Sequence, residues 1–124
     1  MIEQEIRSYR DLRVGREAME LVEQCYKMSS HLPLEGRFGL TSQLRMAAVS
    51  VPTNIAAGYG RDNTGSYVQF LKIAQGSLKE VETLLLLVDR VVPVTVATAP
   101  LLDRCEIVGR KLAGLIRSLK PDGG

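Results

Sequence analysis

One segment, between residues 66 and 92, carries apolar residues at alternating spacings of four and three positions. The alternation is unbroken over more than three heptads and runs through Tyr67, Leu71, Ala74, Leu78, Val81, Leu85, Val88 and Val92. Such a repeat places these side chains on one face of an α-helix, because a half-buried β-strand would need alternation at every second residue. A helix over this segment is about 39 Å long. We expect other helices to pack along it.

Apolar stripes with the same helical spacing run through three further segments. Helix-breaking residues separate the segments. Prolines and glycines cluster between residues 29 and 39, and prolines occur at positions 93 and 100. Short connections of this kind place consecutive helices side by side in opposite directions. We therefore predict an all-α, antiparallel up-and-down four-helix bundle in one domain, residues 1–124, with helices at about 11–29, 41–60, 66–92 and 98–120.

Local signals refine the starts and the shapes of these helices. Thr41 is a candidate N-cap of the second helix. Ser66, with Gln69 three residues later, has the spacing of a capping box and predicts the start of the third helix. Pro52 lies inside the second helix, where a proline removes one hydrogen bond, and we expect a bend there.

The third helix is apolar on more than one face, which predicts self-association. A second stripe lies beside the first, and the small residues Gly76 and Ser77 in mid-helix predict a close helix crossing. A helix in a monomeric bundle buries one face and leaves the other in water, so the surplus apolar face needs a partner. We predict a homo-oligomer whose interface includes Phe70, Ile73, Gly76, Ser77, Leu84, Leu87 and Val91.

The first ten residues, the longest apolar stretch and the two cysteines predict a cytoplasmic protein. The first ten residues are charged, which does not fit a signal peptide. The longest apolar stretch, 84–92, contains Asp89 and Arg90 and is far shorter than the roughly 20 residues that cross a bilayer, so we expect no membrane contact. Cys25 and Cys105 stand apart, outside any CxxC pair, as in reduced cytosolic proteins.

No segment of the sequence carries a recognisable catalytic, metal or cofactor site. His31 is the lone histidine and has no nucleophile at a known motif spacing. The segment Gly60 to Ser66 has the glycine spacing of a phosphate-binding loop, but it lacks the lysine and follows a helix rather than a strand. Both cysteines lie on core stripes, where a thiol packs as a small hydrophobe. We expect a protein that is not an enzyme and holds no metal or cofactor.

The positive charges are concentrated, although the net charge is only +2. Three arginines and no acid lie between residues 37 and 61, and the last helix carries Arg104, Arg110, Lys111, Arg117 and Lys120. A concentrated basic surface captures phosphates, and a cyclic oligomer repeats it once per subunit. The predicted nucleic-acid-binding residues are Arg37, Arg45, Arg61, Lys72 and Lys79.

Three ordered motifs give the sequence a specific likeness. They are GLTSQLR at 39–45, SVPTNIAAGYGR at 50–61 and FLKIAQGSL at 70–78. With these motifs the chain resembles the four-helix-bundle family of proteins encoded in 23S ribosomal RNA intervening sequences, which is similar to the accessory proteins of diversity-generating retroelements. The resemblance spans about residues 9–119.

The resemblance implies a homopentameric barrel with a role in binding nucleic acid and without enzymatic activity. The chain departs from the family pattern at four positions: tryptophan is usual at Gly15, glutamate at Gly36 and Ala57, and arginine at Met46. The change at Met46 removes a positive charge from the second helix, and the change at Ala57 removes a possible partner for Arg45.

Two functions from different classes follow from these patterns. The first is a non-enzymatic oligomer that binds RNA or DNA through phosphate contacts. The alternative is a protein-interaction scaffold or accessory factor that docks a partner protein such as a reverse transcriptase.

Overall fold

A computed structural model describes residues 12–33, 37–92 and 95–119. Over these ranges the protein is all-α and contains no strand, as predicted. The helices are α1 (Arg13–Ser29), α2 (Ser42–Tyr59), α3 (Thr64–Val91) and α4 (Ala99–Leu119), and a π-helical turn, Arg37–Thr41, leads directly into α2. The predicted helix limits at 11 and 120, and the family departure at Gly36, lie outside the described residues.

Contacts between neighbouring helices show that they run antiparallel. Ser50 of α2 is hydrogen-bonded to Ser77 of α3, while Gly58 near the end of α2 lies against Tyr67 near the start of α3. Leu78 of α3 lies against α4 at Gly109. Helix α1 packs against both α2 and α4. The four helices therefore surround one core.

The connection between α3 and α4 is held by a side-chain hydrogen bond. The Thr98 hydroxyl donates to the carboxylate of Asp89, with distances of 2.8 Å to both carboxylate oxygens. Asp89 is near the end of α3 and Thr98 immediately precedes α4. This bond joins the late part of one helix to the early part of the next, so α3 and α4 are antiparallel.

The stripe that defines the third helix forms the centre of the core. Leu71, Ala74, Val81 and Leu85 are completely buried, and Tyr67 and Val92 at its two ends are half-buried. The other helices meet it with their own stripes, which include Leu21, Cys25, Leu44, Val51, Ile55, Cys105, Val108 and Leu112. The sequence prediction of this core stripe is confirmed.

The predicted N-cap of α3 is wrong, whereas Thr41 holds the N-cap position of α2, as predicted, but makes no capping hydrogen bond with its side chain. Helix α3 begins at Thr64, and its cap is Asn63, whose side-chain oxygen accepts the Ser66 N–H at 2.8 Å. Ser66 is thus inside the first turn rather than ahead of it. Thr41 has helical backbone angles because the π-helical turn continues into α2, and its buried hydroxyl has no hydrogen-bond partner among the described residues. Pro52 is buried inside α2, and the bend expected there stays a prediction.

Of the two residues predicted at a close helix crossing, Ser77 contacts Ser50 of α2 at 2.7 Å, but Gly76 does not lie at a crossing; a second close approach of α2 and α3 occurs at Gly58. A Cβ atom at Gly58 would lie 2.8 Å from Cβ of Phe70 and 3.1 Å from the Tyr67 carbonyl oxygen. A Cβ atom at Gly76 would meet nothing within 4 Å. Glycine at position 58 therefore allows α2 and α3 to approach, whereas Gly76 lies on an open surface.

These two glycines form a matched pair of substitutions. We expect Gly58→Ala to destabilise the protein by about 1–3 kcal/mol, because the added methyl group overlaps packed atoms. We expect Gly76→Ala to stabilise it by up to about 1 kcal/mol, because alanine is the better helix former and has room. Thermal unfolding followed by circular dichroism measures both changes. A Gly58→Ala variant as stable as the Gly76→Ala variant would contradict the crossing geometry.

Candidate nucleic-acid interface

The antiparallel arrangement brings positive charges from separate helices to one end of the bundle. This end consists of residues 13–20 of α1, 58–75 around the α2–α3 turn, and 111–119 of α4. Its cations are Arg13, Arg16, Arg61, Lys72, Lys111 and Arg117, and all except the half-buried Lys111 are exposed. We call this set the basic end.

Few acids balance the basic end. Among the described residues it contains Asp62 in the α2–α3 turn and Glu17 and Glu20 on α1. Both glutamates bind the Arg104 guanidinium of α4: Nη1 is hydrogen-bonded to Glu17 and lies 2.9 Å from Glu20. Their charges are therefore matched by an arginine from outside the basic end, and among the described residues of this end the cations outnumber the acids.

The opposite half of the bundle has a mixed charge. Acids on α1, α3 and α4 alternate there with cations, and two close ion pairs line the groove between α3 and α4. Lys79 Nζ lies 3.2 Å from Glu82, and Arg110 lies 3.7 Å from Glu106. This groove has a volume of about 720 Å³. Its paired charges make it a weaker candidate for phosphates than the basic end.

The structure does not bring the five predicted phosphate-binding residues together. Arg61 belongs to the basic end. Lys72 lies at the border of the basic end and also lines the groove between α3 and α4, where Lys79 is paired with Glu82. Arg45 is at the start of α2 and therefore at the other end of the bundle. Arg37 belongs to the π-helical turn, and its side chain lies outside what the structure describes.

Arg45 has a role within the subunit. Its Nε donates to Ser29 Oγ at 2.8 Å and its Nη2 donates to the Tyr26 carbonyl oxygen at 3.2 Å. The guanidinium also lies 4.4 Å from the centre of the Tyr26 ring. These contacts join the start of α2 to the end of α1, and a role of Arg45 in phosphate binding stays a prediction.

An aromatic cluster lies within the basic end. Tyr59 and Tyr67 meet edge to face with ring centres 6.1 Å apart, and the Arg61 guanidinium lies 5.3 Å from the centre of the Phe70 ring. The three rings are half-buried. Burial raises the pKa of Tyr67, and the neighbouring Tyr59 adds to the shift. Glycine at position 58 allows this cluster to form, because a side chain there would overlap Phe70 and Tyr67.

The predicted oligomer interface divides into covered and open residues. Ser77 and Leu84 are buried inside the subunit, contrary to their expected place on an outer face, because α3 turns them toward α2. Phe70 is half-covered by its contacts with α2 and Arg61. Gly76 is open, as are the large apolar side chains Ile73, Leu87 and Val91, which are exposed by 45%, 38% and 61%. Their role in an interface stays a prediction.

A second apolar surface, which the sequence analysis did not identify, spans α1 and α2. Tyr26 lies on the side of α1 that faces Arg45, and Met19 is seven residues earlier on the same side. Val49 follows Arg45 by one helical turn. Met46, the residue after Arg45, is 71% exposed. We call Met19, Tyr26, Met46 and Val49 the α1–α2 patch. All four are exposed apolar side chains on α1 and α2.

The described residues include no group of three or more potential metal-binding side chains. Both cysteines are fully buried, and burial raises the pKa of each thiol to about 12. The thiols are therefore neutral at physiological pH, and Cys25 and Cys105 act as core residues. Among the described helices, none has an apolar stretch sufficient for a transmembrane segment.

Comparison with known proteins adds one finding. The family model described as 23S rRNA-intervening sequence protein matches residues 10–114, which include most of α4 and all of α1, α2 and α3. No curated protein matches the chain.

Proposed function

The chain belongs to the 23S rRNA-intervening sequence protein family, and we propose that it binds RNA or DNA through phosphate contacts made by the basic end, without catalysing a reaction. The observation that carries this proposal is the convergence of cations from α1, the α2–α3 turn, α3 and α4 on one end of the bundle. Phosphate binding needs such a concentration of positive charge rather than a high net charge.

The charge distribution supports binding to the backbone of a nucleic acid. The exposed side chains of Arg61, Lys72 and Arg117 are long and can each reach a phosphate, and arginine can contact it with two donors at once. Contacts of this type position a nucleic acid without reading its sequence. The proposed activity is therefore general binding with little base preference.

Salt tests this proposal directly. We expect the purified protein to bind a labelled RNA or DNA oligonucleotide at about 50 mM salt, and the affinity to fall steeply by about 200 mM, because each neutralised phosphate releases counterions. Fluorescence anisotropy at several salt concentrations measures the effect. No binding at the lowest salt concentration, or an affinity independent of salt, would contradict phosphate contacts.

Self-assembly is the second part of the proposal. Two exposed apolar surfaces can be buried in an interface between subunits. They are the α1–α2 patch and an outer face of α3 made of Ile73, Leu87 and Val91. Ile73 lies one turn before Ser77, which bonds to α2, so this face borders α2. The two surfaces thus lie on adjoining sides of the bundle. We propose that the α1–α2 patch of one subunit covers the outer α3 face of the next.

A contact between two different surfaces generates a ring when the rotation between neighbours closes. When the two contact surfaces lie on adjoining sides of a subunit, each subunit is rotated relative to the one before it. Such a rotation favours a closed ring over an open filament. The pentamer implied by the family resemblance is such a ring. Cyclic symmetry also keeps all basic ends on one side of the ring, where their fields add.

A scaffold that docks a partner protein, such as a reverse transcriptase, is the second candidate function. The observation in its favour is the α1–α2 patch, because an exposed methionine such as Met46 adapts to varied apolar surfaces. A pull-down with nuclease treatment separates the candidates. A partner protein that stays bound after the nuclease favours docking, whereas loss of the bound material with the nucleic acid supports phosphate binding.

A further inference from the structure

We infer that the basic end takes its nucleic acid as a single strand, with a base stacked on the aromatic cluster of Tyr59, Tyr67, Phe70 and Arg61. This inference rests on the proposed function and adds the class of nucleic acid. Phosphate contacts alone would accept a duplex equally well, because the backbone of both forms carries the same charged group.

The distribution of the aromatic side chains is the first argument. The chain has four tyrosines, two phenylalanines and no tryptophan, and half of these six rings lie in one cluster at the basic end. Tyr59 and Tyr67 pack against the core with part of their surface, whereas the fully buried core consists of aliphatic side chains, Met28 and two cysteines. Aromatic rings among exposed cations are the arrangement that single-strand binding proteins use.

The exposure of the cluster is the second argument. Its rings are half-buried rather than enclosed, and Arg61, which covers the Phe70 ring, is itself exposed. An arginine over an aromatic ring offers a flat, cationic surface, and bases stack on both guanidinium planes and aromatic rings. A base can therefore stack on the Arg61–Phe70 pair while Lys72 or Arg117 contacts the neighbouring phosphates.

The geometry of nucleic acids then selects the single strand. In a duplex the faces of the bases are already stacked on one another, whereas an unpaired base can present its face to a protein. Stacking on the cluster adds affinity that a duplex cannot obtain without losing its own stacking. The expected consequence is a preference for single strands of at least about tenfold.

Tyrosine fluorescence provides the test, because the chain has no tryptophan to mask it. In a Tyr9→Phe/Tyr26→Phe variant the emission comes from Tyr59 and Tyr67 alone. We expect a single-stranded oligonucleotide to quench this emission and to bind at least about tenfold more tightly than a duplex of the same length at the same salt concentration. The single change Phe70→Leu, which keeps an apolar side chain, should remove most of that preference and bring the affinities for the two forms close to each other.

The outcomes separate this inference from the proposed function. Equal, salt-dependent affinity for both forms with unchanged tyrosine emission would overturn the inference and leave phosphate binding in place. No binding of either form at low salt would overturn both. Circular dichroism shows whether Phe70→Leu folds, and if it does not, the quenching and the affinity ratio of the Tyr9→Phe/Tyr26→Phe variant still decide the question.

Discussion

We expect Leu85→Asp to unfold the subunit, and we expect Leu87→Asp to leave the fold intact and to separate the proposed oligomer. The two leucines are two residues apart on α3, but Leu85 is completely buried and Leu87 is 38% exposed. A carboxylate at position 85 would lose its hydration inside the core, at a cost of several kcal/mol. A whole domain is stable by only about 5–15 kcal/mol, so little folded protein should remain.

At position 87 the same carboxylate stays in water in the free subunit. It would be buried, unpaired, against the α1–α2 patch of a neighbour, and the ring should dissociate. Circular dichroism measures the fold and light scattering measures the mass. A Leu87→Asp variant with the mass of the wild-type oligomer would contradict the proposed interface, and a folded Leu85→Asp variant would contradict the core.

Reversing three charges at the basic end should lower nucleic-acid affinity at least about a hundredfold. The variant Arg61→Glu/Lys72→Glu/Arg117→Glu loses three phosphate contacts and adds three repulsive charges at the same surface. All three side chains are exposed, so folding should be little affected. Anisotropy with a labelled oligonucleotide at low salt measures the loss.

The matched control is Lys79→Glu/Arg90→Glu/Arg110→Glu. It changes the net charge by the same amount, but it alters exposed cations outside the basic end. We expect this variant to retain most of the affinity. An equal loss in both triple variants would mean that total charge, rather than its position, governs binding, and the basic end would lose its assignment.

The sequence predicted the helices well because their periodicity is a strong signal. The stripe from Leu71 to Val88 has the spacing of one helical face, and burial in the core follows from it. The start of α3 was missed by two residues because Ser66 and Gln69 have the spacing of a capping box. In the structure the Asn63 side chain accepts the Ser66 N–H instead, so the helix begins earlier.

The surface was less predictable, because it depends on how helices are rotated against one another. Leu84 and Leu87 belong to one apolar stripe in sequence, but the packing of α3 on α2 buries the first and exposes the second. Arg45 is a free cation in sequence, and its hydrogen bonds to Tyr26 and Ser29 join residues 16 or more positions apart.

The candidate binding site could likewise be predicted only in part from the sequence. Sequence reasoning selected Arg61 and Lys72 from the central segment, and it noted Lys111 and Arg117 on the last helix, but it had no means to place the two groups together. Arg13 was not selected at all. The antiparallel topology supplies the missing information, since it brings the start of α1, the α2–α3 turn and the end of α4 to one end.

The salt dependence of single variants tests the central claim most directly. The slope of the logarithm of the binding constant against the logarithm of salt concentration reports how many phosphates the protein contacts. We predict that Lys72→Ala lowers the magnitude of this slope by about one and that Lys79→Ala leaves it unchanged. The same slope for Lys72→Ala and the wild type, or a wild-type slope near zero, would contradict phosphate binding by the basic end.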